Sequence, residues 1–374
     1  MLLRQRITTY GITTTAIAAI GLAAWLKPWK TNDMEKPIDT IEQPSGATHR
    51  VDVVFAVDTT GSMGNLLDGA KRTVWSIATH IKQTDPNADL HVGLVAYRDL
   101  GENYVTKDFA LSGDMDAVFA ELSSYEAAGG GDVPEDVDAG LYDAVHKMDW
   151  RDGATKLMFV VGDAPPASRG DVPNYDVTIR EASRMGIRVN AIRCGQDPDT
   201  AQAWQTIASL GNGEFSTIRQ DGGVQQLATP YDDKIRTLST TIDNSAVIYG
   251  DTGVHAAYRA KVGNAMAAPA ATASDRAAWY GQGARDSNDV LTKVNTGSLS
   301  IDGLDPSNLP SDMQGMDAKK LQVEFARRGA ERAQAQKELD ELQTKRADYL
   351  KANKGSGSAG FDDAVNATVT RELK

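Results

Sequence analysis

Three short segments carry oxygen-bearing side chains at spacings that suit a hard cation. Asp58-Thr59-Thr60-Gly61-Ser62 places a carboxylate and two hydroxyls two residues apart, at Asp58, Thr60 and Ser62. Gly129-Gly130-Gly131-Asp132-Val133-Pro134-Glu135-Asp136 and Gly162-Asp163-Ala164-Pro165-Pro166 add further carboxylates. None of the three segments supplies a nitrogen or sulfur ligand. Carboxylates and hydroxyls select Mg²⁺, Mn²⁺ or Ca²⁺ over softer metals, and Mg²⁺ is the first expectation. Asp58, Thr60, Ser62, Asp132 and Asp163 are therefore the candidate ligands. Plainer roles stand beside this one. Thr60 and Ser62 suit the cap of a following helix. Glu135 and Asp136 suit a helix start, where acids complement the macrodipole. Residues 129–131 suit a tight backbone path, and Asp99 suits a turn or a pair with Arg98.

Other chemistries find less support. Five histidines (His49, His80, His91, His146 and His255) are scattered without zinc-ligand spacing. The single cysteine, Cys194, excludes a disulfide within the chain. It ends an apolar run and reads as a buried, inert thiol. Ser62 lacks a Gly-x-Ser-x-Gly elbow. Neither a phosphate-binding loop nor a dinucleotide fingerprint is present. Metal-assisted hydrolysis remains the least supported reading of the carboxylates.

The elements that must position these residues alternate between strand and helix. Residues 51–57 are a short apolar run, a buried strand. Apolar residues at helical spacing mark residues 65–84, from Leu66 to Ile81. Strands follow at 90–97 and 104–111, and helices at 114–125 and 136–148. Residues 157–161 read as a central strand. Helix 175–185, strand 187–193, helix 199–210, strand 214–218 and a helix near 224–241 complete the pattern. Such alternation implies an α/β fold: a Rossmann-like, doubly wound, mostly parallel sheet covered on both faces. Binding sites in such sheets lie outside the carboxyl ends of the strands. The segments after residues 57 and 161 hold that place.

Around this domain, residues 51–240, the chain has other parts. Residues 7–26 carry no charge and, at ~20 residues, suffice to span a bilayer. Arg4 and Arg6 precede them, and Trp25, Lys27, Trp29 and Lys30 follow. Residues 1–30 thus read either as a signal anchor, giving an N-terminal transmembrane helix, or as a signal peptide cleaved near Ala16-Ile17-Ala18. The first reading makes a single-pass protein of the cell membrane with its bulk periplasmic or extracellular; the second makes a secreted one. Residues 31–50 read as a linker. The net charge is −12. The first thirty residues hold four basic groups and no acid, so the remainder stands four charges lower, at −16. That acidity disfavours nucleic acid as a partner.

Residues 241–317 read as an irregular connector with short helices, broken at Pro269 and around residues 281–283. Residues 318–374 form a C-terminal helical extension. Its long helix over 318–353 has a partial seam of Leu321, Phe325, Leu339, Leu342, Tyr349 and Leu350, interrupted by Arg328, Arg332 and Arg346. A self-associating coiled coil and a solvated helix docked by one face both remain open. After Gly355-Ser356-Gly357-Ser358, the residues Phe361, Val365, Val369 and Leu373 form a stripe that should pack on the long helix or on the main domain.

The region from Val51 to about Ser239 resembles the von Willebrand factor A (VWA) family, of the bacterial membrane-anchored type. The resemblance implies a metal-ion-dependent adhesion site in which Asp58, Thr60 and Ser62 fill the first motif. Asp163 would fill the later aspartate position. The family leaves one coordination position for an acidic side chain of a protein partner. Its middle motif usually brings a threonine, whereas the glycine-rich loop here holds Asp132, which binds the cation directly or through water, or takes the partner's position. With Tyr97-Arg98-Asp99 and Gly-Gly-Gly-Asp-x-Pro-Glu, the chain resembles a bacterial and eukaryotic subgroup of these domains. The expectation is a non-enzymatic, membrane-anchored adhesion module with selectivity in loops 98–104, 126–136 and 164–175. The rival is an assembly protein in which the metal braces the fold and the tail makes the contacts or the oligomer.

Overall fold

A computed structural model describes residues 48–130, 134–167, 169–223, 227–282, 285–353 and 360–373. The apolar run at 51–57 forms the centre of β1 (His49–Asp58), buried on both faces from Val51 onward. One 3-10 turn at Gly61–Met63 leads into α1 (Gly64–Thr84). The alternation continues through β2 (Ala88–Tyr97), β3 (Thr106–Ser112), α2 (Met115–Ser124), α3 (Val137–His146), β4 (Thr155–Gly162), α4 (Tyr175–Arg184), β5 (Ile187–Cys194), α5 (Pro198–Leu210) and β6 (Asn212–Ile218).

The sheet order is β3-β2-β1-β4-β5-β6. Every neighbouring pair is parallel except β2 with β3. The winding therefore reverses between β1 and β4, and a crevice opens outside their carboxyl ends. Val57 pairs in register with Val161, so Asp58 and the Gly162-Asp163 step emerge side by side. Strand alternation splits the core in two. Val51, Val53, Phe55 and Val57 meet α1 and α2 on one face. Val54 and Ala56 meet α3, α4 and α5 on the other.

Among the described residues six α-helices follow: α6 (Asp232–Asn244), α7 (Thr252–Ala267), α8 (Ala270–Gly281), α9 (Leu291–Asn295), α10 (Ala318–Asn353) and α11 (Phe361–Glu372). The helix expected near 224–241 begins at Asp232. The Asp232 carboxylate accepts the Thr229 amide at 2.7 Å and its hydroxyl at 3.0 Å, closing a turn across Pro230 first. Residues 241–317 are more regular than the sequence suggests, because α7 and α8 run for 16 and 12 residues. Pro269 divides them as expected: Ala268 before it is extended at the end of α7, and Pro269 is the N-cap of α8. Helix α7 buries only Ala265, so it shows no apolar stripe.

The seam of α10 is spent inside the chain. Leu321 and Phe325 pack with Val247, Leu291, Leu309 and Met313, and Leu339 packs with Ile235, Leu238 and Ala277. The three arginines expected to interrupt that seam are buried members of it. Gly329 lets the Asn295 side chain approach α10 and donate to Phe325 O at 3.1 Å. Helix α6 packs on α8 and α10. The sheet face beside α1 is covered instead by α11, whose Phe361, Val365 and Val369 enter the same core as Phe55. Each such side chain contributes about 1.5–3 kcal/mol. Among the described residues no helix is long and apolar enough to cross a membrane. The membrane segment expected within residues 1–30 lies outside the described residues.

Candidate metal centre

Asp58 is the last residue of β1 and is 1% exposed. Its Oδ1 accepts the Thr60 amide at 2.8 Å and the Thr60 hydroxyl at 2.7 Å, an aspartate turn that folds the chain back over the strand end. Thr60 Oγ1 lies 3.3 Å from Ser62 Oγ. Ser62 is exposed at the start of the 3-10 turn that opens α1. Asp58 Oδ2 is buried and has no hydrogen-bond partner among the described residues.

Asp163 follows β4 and faces the same crevice. The Gln220 side-chain amide donates to its Oδ2, and Thr200 Oγ1 donates to its carbonyl at 3.0 Å. Burial, with the charge of Asp163 and a side-chain hydrogen bond to it in the protonated form added, pushes the Asp58 carboxyl up to about 7 against the two bonds from Thr60. Tyr97 lies beneath both strands and donates from Oη to Val161 O at 3.1 Å. Any side chain at Gly162 would collide with that phenol, so glycine is needed where β4 ends. Burial keeps the phenol neutral.

The glycine-rich loop crosses the first motif. Ala128 donates to Thr59 O at 3.1 Å, and Gly61 donates to Gly129 O at 3.3 Å. Gly129 and Gly130 adopt φ of 81° and 89°, the left-handed region that favours glycine. Asp132 lies outside the described residues. Asp58, Thr60 and Ser62 lie together through the Thr60 hydroxyl, and Asp163 lies close enough to act on the Asp58 carboxyl. Among the described residues no cluster of three His, Cys, Asp or Glu side chains forms a metal site. The donor set is instead two carboxylates and two hydroxyls, all oxygen, with one buried carboxylate oxygen lacking a partner. Those residues fit a hard divalent cation.

Some roles differ from expectation. Asp99 pairs with Arg169, not with Arg98. Arg98 points inward onto carbonyl oxygens. Asp136 caps α3 by accepting from Ala139 N at 3.0 Å, as its plainer role anticipates. Gln220 and Thr200 were not foreseen; their signal is position alone, since both follow the carboxyl ends of strands. Cys194 is a buried free thiol.

Residues 52–218 match the family model described as the von Willebrand factor A domain, and this stretch is a VWA domain. An alpha-protein kinase of Dictyostelium discoideum is 30% identical over 120 residues, covering 32% of this chain and 19% of that protein. A putative ariadne-like RING finger protein of Acanthamoeba polyphaga mimivirus is 30% identical over 116 residues, covering 31% of this chain and 11% of that protein. This chain thus spans less than a fifth of the length of either. Among solved structures, the conserved hypothetical protein BatB from Bacteroides thetaiotaomicron is similar at 16% identity and a TM-score of 0.35, over 45% of this chain and 90% of that one.

Proposed function

We propose that the chain is a divalent-cation-dependent protein-binding module, held at the cell membrane by residues 1–30 with its body outside the cytoplasm. VWA domains are modules often involved in protein interaction or adhesion, and that supports the first half of the reading. The observation that carries it is Asp58 Oδ2, a buried carboxylate oxygen with no partner among the described residues. Burial above all, and then the neighbouring Asp163 carboxylate, raises the pKa of that carboxyl. Mg²⁺, or Mn²⁺ or Ca²⁺ by the same chemistry, would be held by Asp58, Thr60, Ser62 and Asp163, with Asp132 as a further carboxylate. The bound cation supplies a fixed positive charge at the crevice mouth. An acidic side chain of a partner would meet that charge, and the loops around it would choose the partner.

Ser62 is exposed, which favours recognition over a cation that only braces the fold. The packing of α10 and α11 into the body argues in the same direction, because the tail's apolar faces are already covered. Calorimetric titration of Mg²⁺, Mn²⁺ and Ca²⁺ into the full-length protein tests the reading, with Asp58→Ala alongside. One saturable site per chain, lost in the variant, is expected. No binding to the wild type removes the cation mechanism and turns attention to the tail. Protease added to intact cells tests the second half: digestion of the body is expected, and full protection contradicts it.

A further inference from the structure

Five consecutive residues, 98–102, tie down both ends and the middle of the glycine-rich loop. Arg98 is 4% exposed and forms no ion pair among the described residues. Its Nε donates to Thr59 O at 3.2 Å, its Nη2 donates to Glu126 O at 2.6 Å, and its guanidinium lies 4.4 Å from the Tyr104 ring centre. One side chain thereby joins the first motif to the entrance of the loop. Asp99 serves the exit. Both of its carboxylate oxygens accept from Arg169, and Arg169 Nη2 donates to Pro134 O at 3.1 Å. Glu102 holds the middle. Its Oε1 accepts the Gly130 amide at 2.9 Å, and its carboxylate fills the space a side chain at Gly129 would need.

Burying a guanidinium to hold two carbonyls is a costly device where stability alone is at stake. Glycines in the left-handed region are also the residues that lose most freedom when ordered. Both costs fall on the loop that lies across Asp58, Thr60 and Ser62. Ligand geometry tolerates only about 0.5 Å of error before binding suffers. We infer that Arg98, Asp99 and Glu102 are positioning residues for the cation site, a clasp that sets residues 126–130 and Pro134 relative to the Asp58–Ser62 turn. This rests on the cation reading above. The clasp touches no ligand directly; it acts through the backbone of Thr59, Gly61 and Gly130.

The test compares Mn²⁺ affinity by calorimetry in full-length wild type, Arg98→Lys, Glu102→Ala and Glu102→Gln, with metal-free melting of each. Lysine keeps the charge and loses the fork that reaches two carbonyls. Loss of such outer supports weakens metal binding by about 10–100-fold, and Arg98→Lys should fall in that range, with Glu102→Ala near its lower end. Glu102→Gln keeps the acceptor for Gly130 and should stay within about threefold of wild type, because the tie and not the charge matters. Metal-free melting of the two Glu102 variants should match wild type. Should Arg98→Lys melt early, the Glu102 pair, at the surface, decides the matter. Variants that bind as wild type overturn the clasp alone, and so does a Glu102→Gln as weak as Glu102→Ala. A wild type that binds no Mn²⁺ overturns the cation reading and the clasp with it.

Discussion

The carboxyl end of the sheet and the seam between the C-terminal helices both bury carboxylates, and they resolve the cost in opposite ways. In the seam each carboxylate meets a guanidinium. Arg276 pairs with Asp116 at 2.7 Å and Asp243 at 2.8 Å. Arg332 pairs with Asp289, and Arg346 with Asp232 and Asp275, all at 2.7 Å. At the sheet end, Asp58 and Asp163 face one another, and among the described residues neither has a basic partner. A buried charge is tolerated when it is paired and hydrogen-bonded. The seam is complete as built, whereas the sheet end leaves Asp58 to a proton or, on the proposed reading, to a cation from outside.

The largest expected effect lies on the complete side. Removing residues 354–374 strips Phe361, Val365 and Val369 from the sheet core; at about 1.5–3 kcal/mol each, the loss is on the order of 5 kcal/mol. Denaturant unfolding should show a body near or below the limit of stability. Next, Arg276→Met leaves Asp116 and Asp243 buried without their cation and should cost about 3–5 kcal/mol. The same measurement reads it. A variant that unfolds at the wild-type midpoint would dissolve the contrast.

The incomplete side should respond with the opposite sign. In metal-free protein Asp58→Asn removes a like charge from a buried pair and should stabilise by about 2–4 kcal/mol at pH 7.5. In Mg²⁺ the same change should abolish the rise in melting temperature that the wild type shows. The smallest effect is the pH slope. The Asp58 carboxyl is raised from 3.8 to about 7, so between those values the folded state holds a proton the unfolded chain has lost. Metal-free stability therefore falls as pH rises through that window, by about 1 kcal/mol per unit, and levels off above it. Asp138, raised to about 6 by burial, adds the same sign. Subtracting the slope of Asp58→Asn isolates Asp58.

Much of the sheet and its site is legible in the sequence because short apolar runs and strand-end polar turns are local signals. Asp58, Thr60, Ser62 and Asp163 follow from their places at the ends of two strands. The geometry that brings them together needs only the β1–β4 register. The seam is less legible. Arg328, Arg332 and Arg346 read as breaks in an apolar stripe because their partners, such as Asp289 and Asp232, lie far off in the chain. Helix α7 leaves no stripe because it buries almost nothing. The place of α11 beside α1 was one of two open choices, and only long-range packing decides it. Arg98 and Asp99 are adjacent and of opposite charge, so a local pair is the natural reading; their partners come from three other loops.

A crystal structure grown with Mn²⁺, with its anomalous difference map, decides whether the strand ends hold a cation. A peak is expected about 2.1 Å from Asp58 Oδ2 and the Ser62 hydroxyl, with Asp163 beside it and Gln220 drawn away from its carboxylate. An ordered water on Asp58 Oδ2, with no anomalous density at the strand ends, would contradict the cation reading.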